Sequence, residues 1–473
     1  MKKLLIGFLA VGLIMGFALT ASAQPNIKAS GQYYVYGTYM DNQTGLDESM
    51  KATSPLAGQS RANIANRLRM QFEIQVQEGL KLTTRFDALE RVWGEQQAAA
   101  APSPGSTGWT GGSAAATERN ISWERAYVTF NALYGVFDVG YQQSRVWGTC
   151  AFCDDYDSDA GIHYRYMMGP WTFGLEYEKR ADNTFSGEGS GQGGAQLGGT
   201  DNDHDVYHVY GIYRWATGQA GLRFELDRDA TGGKFGAGGA GVTRVAPYGT
   251  AGLNTVEWVS TFYELAPYVQ WKYGAFDVEA EFRYIWGTTD YNGATQDVDR
   301  NGWSLYVMGK YTMGAFYGGL EFAYITGDDP NTSDKNESGV SGGQAWDPML
   351  IYGNYWNTKH QGAMGYGTVA LNGTGGNETN LIMFKPYVGW KVNPQLEVVA
   401  QFAWLKAEEK PLNYVDDDYG REFDIYANYK LYNNLTYTVG FGYFWTGDYF
   451  KGTNPAISVD DNYIVMNALN FAF

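Results

Sequence analysis

The sequence predicts an all-β protein, a transmembrane antiparallel up-and-down β-barrel, and three observations lead to this fold class. In residues 435–445 every odd position is apolar or aromatic, the period-two pattern of a strand with one apolar face. Short turns rich in Gly, Pro and Asn alternate with long loops along the chain. Beyond the N-terminus no stretch is long and apolar enough for a spanning helix, so a closed barrel is the remaining way to satisfy every peptide group in lipid.

The N-terminus has the pattern of a secretory signal peptide. Lysines precede the apolar residues 4–19, and residues 21–23, Ala-Ser-Ala, form a small-residue cleavage site. The alternative, a membrane anchor, is disfavoured because the apolar stretch is short for a span. We therefore predict that residues 1–23 are cleaved on export and that residues 24–473 form a single barrel domain.

Strand-like segments follow one another from residue 27 to the C-terminus. We count 18 strands, or 16 if the weak segments 161–168 and 171–180 belong to a loop. The short connections are assigned to the periplasmic side and the long ones to the extracellular side, as is typical of outer-membrane barrels. The predicted strands are 27–40, 61–77, 80–93, 121–131, 135–147, 161–168, 171–180, 206–215, 220–229, 261–272, 275–287, 302–312, 315–326, 381–392, 395–406, 421–432, 435–446 and 462–473.

The composition fits a barrel whose lumen and loops are in water. The chain has 37 Tyr, 24 Phe and 15 Trp but a negative mean hydropathy, which is unusual for a large soluble core. The formal net charge of −17 argues against nucleic acid as a partner, because nucleic-acid binding needs a basic patch.

The alternation also places charged side chains on the inner face. The even positions of 61–77 are apolar except for Asn66, so the odd positions point inward. Buried charge is costly even when it is paired, whereas charge along water is not, so the interior is predicted to be an aqueous channel. A barrel of this strand number is wide enough for one. The inner arginines of three consecutive strands are Arg67, Arg69, Arg85, Arg91 and Arg125.

No enzymatic motif accompanies this pattern. The few histidines form no His-Glu-x-x-His motif, and the chain has no Gly-x-Ser-x-Gly. Asp205 and His208 could form an acid–base pair, which is the remaining alternative to a protein without catalytic activity. No cofactor is predicted.

Acidic residues concentrate in the predicted outer loops, for example in 201–205 and 416–418. We interpret them as a solvated surface. The alternative is Ca²⁺ or Mg²⁺ bridging these loops to anionic lipopolysaccharide. Residues 297–302 resemble the start of a calcium loop, but Met308 stands where the closing Glu is required.

Several segments resemble porins of Gram-negative bacteria. Residues 62–69 and 123–128 are similar to early strands of general porins, in which a third loop, here 148–160, folds into the pore. This resemblance implies a homotrimer in the outer membrane, surrounded by lipid and lipopolysaccharide, that passes small hydrophilic solutes and ions by passive diffusion.

The C-terminal quarter carries a second resemblance. Residues 421–425 and 440–449, with 345–348, resemble alginate-export channels of the outer membrane. This implies the alternative of a substrate-selective polysaccharide or oligosaccharide channel. A structural barrel that anchors the envelope is a further alternative.

The last strand resembles the assembly signal of outer-membrane barrel proteins, in which a terminal Phe follows apolar or aromatic residues at alternate positions. The matching positions are Tyr463, Val465, Leu469, Phe471 and Phe473.

Loop 148–160 contains both cysteines of the chain. Cys150 and Cys153 are predicted to form a disulfide, because the chain is exported and has no other Cys. A redox-active pair is the alternative, but no thioredoxin-like pattern surrounds the two residues.

The pore constriction is predicted to place the inner arginines opposite this loop. A three-residue turn at 78–80 would set Glu73 opposite Arg85 and Arg67 opposite Arg91. A basic wall that faces an acidic loop would create a transverse field governing ion choice. The alternative is that the arginines pair with wall carboxylates such as Asp87 and hold the lumen together. The loop acids are Asp154, Asp155, Asp157 and Asp159.

Overall fold

The wall of the molecule is a single closed antiparallel sheet of 18 long strands. Closure comes from the pairing of the first described strand, β1, with the last, β19. The computed structural model describes residues 25–42, 44–52, 57–93, 121–143, 147–149, 152, 158–181, 203–231, 258–291, 296–340, 346, 348–353 and 379–473. The predicted signal peptide, 1–23, lies outside these residues.

Each barrel strand pairs with its neighbours along the chain, so the topology is up-and-down. A two-residue strand, β14 (Lys335–Asn336), pairs with β12 in parallel from within a long loop, and 3₁₀ turns occur at Glu48–Ala52 and Asp448–Lys451. The barrel strands are β1 (Asn26–Asp41), β2 (Arg61–Gln77), β3 (Leu80–Val92), β4 (Ile121–Ala132), β5 (Gly135–Gln143), β6 (Ser158–Met168), β7 (Trp171–Ala181), β8 (His204–Trp215), β9 (Gly218–Asp229), β10 (Trp258–Tyr273), β11 (Phe276–Tyr291), β12 (Val298–Met313), β13 (Phe316–Ile325), β15 (Leu381–Lys391), β16 (Leu396–Lys406), β17 (Asp418–Tyr432), β18 (Leu435–Thr446) and β19 (Asn462–Ala472).

The predicted fold class and the count of 18 strands are confirmed. The alternative count of 16 is wrong, because β6 and β7 pair with each other and with β5 and β8 as full wall strands. The short turns are made by residues that tolerate positive φ. Gly274 and Gly314 have φ of 59° and 61°, the left-handed conformation that tight hairpins require.

Alternate residues of each strand separate an apolar outer face from a polar inner face. On β7, Phe173 and Leu175 are exposed on the outside, whereas Glu176 and Glu178 are buried on the inside. Aromatic side chains are exposed on the outer face beside the short turns, where Phe316 stacks on Trp390 at a centroid distance of 5.7 Å. Such an apolar band with aromatic residues at its edge fits a lipid boundary.

The hydrophobic core lies inside the barrel rather than between two sheets. Its buried side chains come from the inner faces of β12 to β19 and of β1, from the loops that follow β16 and β18, and from two loop segments, the first containing Phe152 and the second containing Trp346. None of the helices in the described ranges is long and apolar enough to cross a membrane. The loop side chains of the hydrophobic core fill one side of the barrel interior.

Candidate pore constriction

The described part of the loop between β5 and β6 lies inside the barrel. Trp147 is 1% exposed, and its Nε1 donates a hydrogen bond to the carbonyl oxygen of Ala266 on β10 at 2.9 Å. Its ring packs edge-on against Tyr268 with centroids 5.0 Å apart. Gly221 on β9 provides the space, since a Cβ there would come within 2.9 Å of the Trp147 ring.

A buried carboxylate holds the next turn of this loop. The backbone N–H of Thr149 donates to Oε2 of Glu281 at 2.6 Å, and its hydroxyl donates to the same oxygen at 3.1 Å. Arg283 donates to the other oxygen of Glu281 at 3.0 Å, so the carboxylate is paired with a cation. The described residues thus agree with the predicted inward fold of this loop.

A second segment of the chain also occupies the lumen. We call residues 346 and 348–353 the lumen segment; it belongs to the long connection between β13 and β15. Trp346 meets Phe152 of the first loop edge-on at a centroid distance of 5.3 Å, and Phe152 also packs against Tyr306 on β12 at 5.5 Å. The two loops therefore contact each other inside the barrel.

Two carboxylates of β17 fix the lumen segment to the wall. Glu422 accepts hydrogen bonds from the backbone N–H groups of Ile351 at 2.7 Å and of Tyr352 at 2.8 Å. Asp424 accepts one from the N–H of Leu350 at 3.0 Å. Both carboxylates are fully buried. Three consecutive backbone N–H groups thus bond to buried side chains of one strand, which fixes the position of the segment.

Small and basic residues of the wall complete this attachment. Gly442 on β18 leaves room, because a Cβ there would lie 3.3 Å from the Cβ of Leu350 and 2.5 Å from Oδ1 of Asp424. Lys385 on β15 donates to the carbonyl oxygen of Pro348 at 3.0 Å and pairs with Glu321 at 2.9 Å. The lumen segment is thus held by both its N–H groups and a carbonyl.

The predicted inner arginines lie on β2 to β4, on other strands than those that hold the lumen segment, and most of them meet wall carboxylates. Arg69 binds both oxygens of Asp87 at 2.7 Å each. Arg67 approaches Asp87 at 3.5 Å and Glu90 at 3.7 Å. These pairs are the arrangement described above as the alternative to a basic wall facing an acidic loop.

The next two strands, β3 and β4, each add one arginine to this wall. Arg85 and Arg125 lie directly opposite each other in register. Arg85 approaches Glu124 at 3.8 Å, and Arg125 donates a short hydrogen bond to the side-chain oxygen of Gln143. We call the inner face of β2 to β4 the arginine wall.

The predicted register between β2 and β3 is wrong. The turn is two residues long, and an irregularity between Gln75 and Gln77 shifts the pairing by one more residue. Glu73 therefore lies opposite Thr83, and Gln71 lies opposite Arg85. A bulge at Leu89, which has φ of 53°, then changes the alternation of β3.

The bulge moves Arg91 out of the predicted inner set. Arg91 lies opposite Asn66, which shares the outer-face parity of the exposed Ile64. Because residues paired in register point to the same face, Arg91 belongs to the outer face and not to the arginine wall.

The predicted acidic partner of the arginine wall is described only at one residue. Asp159 lies on β6 and approaches Arg180 of β7 at 3.8 Å, not the arginines of β2 to β4. Asp154, Asp155 and Asp157 fall outside the described residues, as do Cys150 and Cys153, so the acidic loop face and the disulfide stay predictions.

A row of titratable residues that sequence reasoning did not recognise crosses β5 to β10 at one height. Its members are in register: Asp138, His163, Glu176, His208, Glu225 and Glu264. Arg223 bridges the last two, at 3.4 Å from Glu225 and 2.7 Å from Glu264. The inner-face alternation of β6 and β8 was the signal that could have found the two histidines.

The candidate catalytic pair Asp205 and His208 is not brought together. Asp205 accepts a hydrogen bond from Tyr177 at 2.9 Å and pairs with Lys179 at 3.1 Å. His208 instead meets Glu225 at 2.8 Å. The odd and even positions of β8 point to opposite faces, which separates the two side chains.

The acidic outer segments bond largely to the chain itself. Asp299 is part of β12 and accepts a hydrogen bond from Thr288 at 3.1 Å, so the calcium-loop resemblance is wrong for this segment. In the loop between β16 and β17, the backbone N–H groups of Asp417 and Asp418 hold the pKa of Asp416 below its usual value.

The terminal strand closes the barrel as its pattern suggested. Val465 and Phe473 are exposed on the outer face. Ile464, which has the opposite parity, is buried inside. The N–H of Phe473 donates to Gly31 of β1 at 3.0 Å, and the N–H of Gly31 donates back at 2.8 Å. Tyr463, Leu469 and Phe471 share the parity of Phe473.

Comparison with known proteins gives structural but no sequence relatives. No protein-family model and no curated protein matches this sequence. The solved structures similar to the chain are outer-membrane porins and channels. OpdQ of Pseudomonas aeruginosa has 10% identity and a TM-score of 0.49, with 94% of this chain and 98% of that chain covered.

Two further structures have similar values. A BenF-like porin from Pseudomonas fluorescens Pf-5 has 10% identity and a TM-score of 0.49, covering 94% of this chain and 99% of that one. The outer membrane channel DcaP of Acinetobacter baumannii has 12% identity and a TM-score of 0.41, with coverage of 96% and 99%. At such values the fold assignment rests on the strand pairing of this chain.

Proposed function

We propose that the chain is a porin of the bacterial outer membrane whose water-filled channel passes small hydrophilic solutes and ions by passive diffusion. The observation that carries this proposal is the state of the arginine wall. Three of its charged side chains are a quarter to a third exposed inside a barrel whose outer face is apolar: Arg69 is 27% exposed, Lys81 31% and Glu73 33%. Charge of this density is stable along water and unstable in a dry core.

The path runs along the arginine wall rather than through the centre of the barrel. The lumen segment and Phe152 cover the inner face of β12 to β19, where the wall side chains are buried. A pore that is narrowed by attached loops and lined by charge selects by size and by sign.

Several features of the mature protein belong to the same proposal. Residues 1–23 are removed on export, the barrel lies in lipid and lipopolysaccharide, and three copies form the pore unit. Cys150 and Cys153 form a disulfide, which mass spectrometry of unreduced protein tests; two free thiols would refute it. Crosslinking in detergent tests the trimer, and a monomer as the largest species would contradict it.

Planar-bilayer recording of the purified, folded protein tests the channel itself. Stable ohmic steps in symmetric salt are expected, since a water-filled path with fixed charges conducts ions. Folding is checked first by heat-dependent mobility on gels. Silence of folded, inserted protein would overturn the proposal and favour a structural barrel that anchors the envelope.

The narrowing by two loops favours a second candidate, a channel selective for polysaccharides or oligosaccharides. Loops fixed by buried carboxylates provide a rigid cross-section, and rigid sites favour specific recognition. Liposome swelling separates the two functions. Uptake that falls smoothly with solute size supports diffusion, whereas uptake of one oligosaccharide class above its size trend supports selectivity.

A further inference from the structure

A compact cluster of possible metal ligands lies on the inner face of β6 and β7. His163 lies opposite Glu176 in register, and Glu178 is the next inner-face residue of β7. One ligand atom from each of these three residues lies within 4.8 Å of the other two. All three side chains are buried, with exposures of 5%, 5% and 1%.

His163 supplies an observation that is independent of the acidic residues. Its Nε2 is buried and makes no hydrogen bond within the described part of the chain, although it is directed towards Oε1 of Glu178 at 3.6 Å. A buried polar atom without a partner costs about 1 to 3 kcal/mol. Such atoms are rare in proteins and call for an explanation, of which a missing ion is one.

The space around this nitrogen is kept open by the backbone. Gly161 of β6 lies opposite Glu178 of β7. A Cβ on Gly161 would come within 3.0 Å of His163 Nε2. Any larger residue at this position would therefore crowd the imidazole. The absence of a side chain leaves the nitrogen facing the two carboxylates.

His208 on β8 adds a fourth group to the cluster. Its Nδ1 lies 3.3 Å from Oε2 of Glu176 and 4.0 Å from Oε1 of Glu178. Metal–ligand bonds of about 2.1 Å in a tetrahedron give ligand–ligand distances of about 3.4 Å. The separations of 3.3 and 3.6 Å are close to this value, and the separation of 4.0 Å is longer.

We propose that His163, Glu176, Glu178 and His208 form a binding site for a divalent transition-metal ion, with Zn²⁺ as the probe. Imidazole nitrogen and carboxylate oxygen are a ligand set that suits Zn²⁺ and its neighbours in the series. The ion would lie between two adjacent buried carboxylates, of which Glu178 also approaches Arg180 at 3.7 Å, and would satisfy His163. This site goes beyond the proposed function and does not depend on which solute the channel passes.

The bound ion would also connect to the first inward loop. His208 meets Glu225 at 2.8 Å, and Glu225 meets Arg223 at 3.4 Å. The guanidinium of Arg223 lies over the Trp147 ring at 5.7 Å. An ion joining β6, β7 and β8 would therefore stiffen the part of the wall on which Trp147 rests.

Zinc titration of the folded barrel tests the site. Protein stripped with EDTA is titrated by calorimetry in excess Ca²⁺, which occupies oxygen-only sites in the acidic loops. One saturable Zn²⁺ per chain is expected. His163→Gln and Glu178→Gln should each weaken binding at least about tenfold, because each removes a ligand. The matched control is His204→Gln on β8, whose imidazole meets Asp227 at 2.9 Å outside the cluster.

A spectroscopic measurement on the unmodified protein covers the case in which the variants fail to fold. Co²⁺ bound in a tetrahedral nitrogen and oxygen site gives intense visible bands that Zn²⁺ abolishes. Saturable bands support the proposal. Their absence from folded protein overturns it, as does unchanged Zn²⁺ affinity of folded His163→Gln; either result would mean that protons on the imidazoles balance the carboxylates instead. Conductance is not part of the readout, so a failed channel and a failed metal site remain distinguishable.

Discussion

The arginine wall and the wall of β17 and β18 differ in the groups that bind their acidic side chains. On the arginine wall each carboxylate meets a side-chain cation, as Asp87 meets Arg69 at 2.7 Å. On β17 the carboxylates of Glu422 and Asp424 meet backbone N–H groups of the lumen segment. The first wall is satisfied by its own strands and can border water. The second is satisfied mainly by a loop from elsewhere in the chain, with Gln401 of β16 as a further donor to Asp424 at 2.8 Å.

The largest effect is expected from Glu422→Ala. The change leaves the buried N–H groups of Ile351 and Tyr352 without acceptors, at a cost of about 1 to 3 kcal/mol each. The lumen segment should leave the wall, and single-channel conductance should rise clearly above that of the parent protein.

Glu73→Ala is the matched control for this change. Glu73 also lies on an inner wall, but it is a third exposed and meets Lys81 at 3.3 Å. A pair of this kind contributes about 0 to 1 kcal/mol, so conductance should hardly change. Equal conductance of the two variants would contradict the difference between the walls.

A smaller effect, on selectivity, is expected when the arginine wall loses its charge. In the triple variant Arg69→Ala, Arg85→Ala and Arg125→Ala the local anion concentration falls, so the ratio of anion to cation permeability should drop by a factor of about three. The reversal potential in a salt gradient measures this ratio.

Arg91→Ala is the control that isolates the position of the charge. It removes one positive charge from the outer-face register of β3, so its reversal potential should equal that of the parent protein. If the triple variant keeps both its selectivity and its conductance, the arginines have only a structural role.

Deletion of Phe473 should act on assembly and leave the two walls unchanged. The residue closes the seam between β1 and β19 and stacks on Phe471 at 5.4 Å. The yield of folded, membrane-inserted protein should fall, while the conductance of the inserted fraction stays normal. Val439→Ala, which trims an exposed outer side chain of β18, is the control. Normal yield with altered conductance would contradict the assembly role.

The smallest effect concerns pH at the loops beside β13 and β16. Burial, and then the charge of Glu408, raises the pKa of Glu409, and burial raises that of Asp328. A raised carboxyl pKa means that the folded state binds the proton more tightly. Its stabilisation is full below the ordinary pKa and is lost as pH rises through the raised value.

Hydrogen exchange measures this effect at the amide of Glu409, which donates to Asn380 at 2.7 Å. Its protection should increase between pH 7 and about pH 5, near the range of carboxyl titration. The amides of Asp417 and Asp418 serve as the control, because their acceptor Asp416 has a lowered pKa and stays charged over this range. Decreasing protection at Glu409 would contradict the prediction.

Local patterns in the sequence were sufficient to predict the strands of the barrel wall but not the loop contacts inside the barrel. Period-two alternation located all the long strands, because it records which face meets lipid. It failed at Arg91, where a single bulged residue reversed the faces and left no compositional signal. Period-two alternation alone cannot reveal a single inserted residue.

The hydrogen bonds that hold the loops inside the barrel could not be predicted from the sequence, because they join residues far apart in the chain. Trp147 bonds to Ala266 across 119 positions, and Ile351 bonds to Glu422 across 71. Asp424 was recognisable as an inner-face charge, but nothing near it in the chain indicates a backbone N–H as its partner. The inward fold of the first loop followed from a family resemblance, whereas the wall that receives it required the structure.

The seam between β1 and β19 also constrains when the protein can fold. Gln32 donates to Asn470 at 2.9 Å across 438 positions, so the first and last strands meet only after synthesis and export of nearly the whole chain. Until then both strand edges are unpaired and the apolar faces are uncovered, a state that invites aggregation. Pairing at such separation is slow, since the loop-closure entropy is lost before any contact is gained. The lifetime of this unpaired state is therefore set by the time at which β19 becomes available to pair with β1.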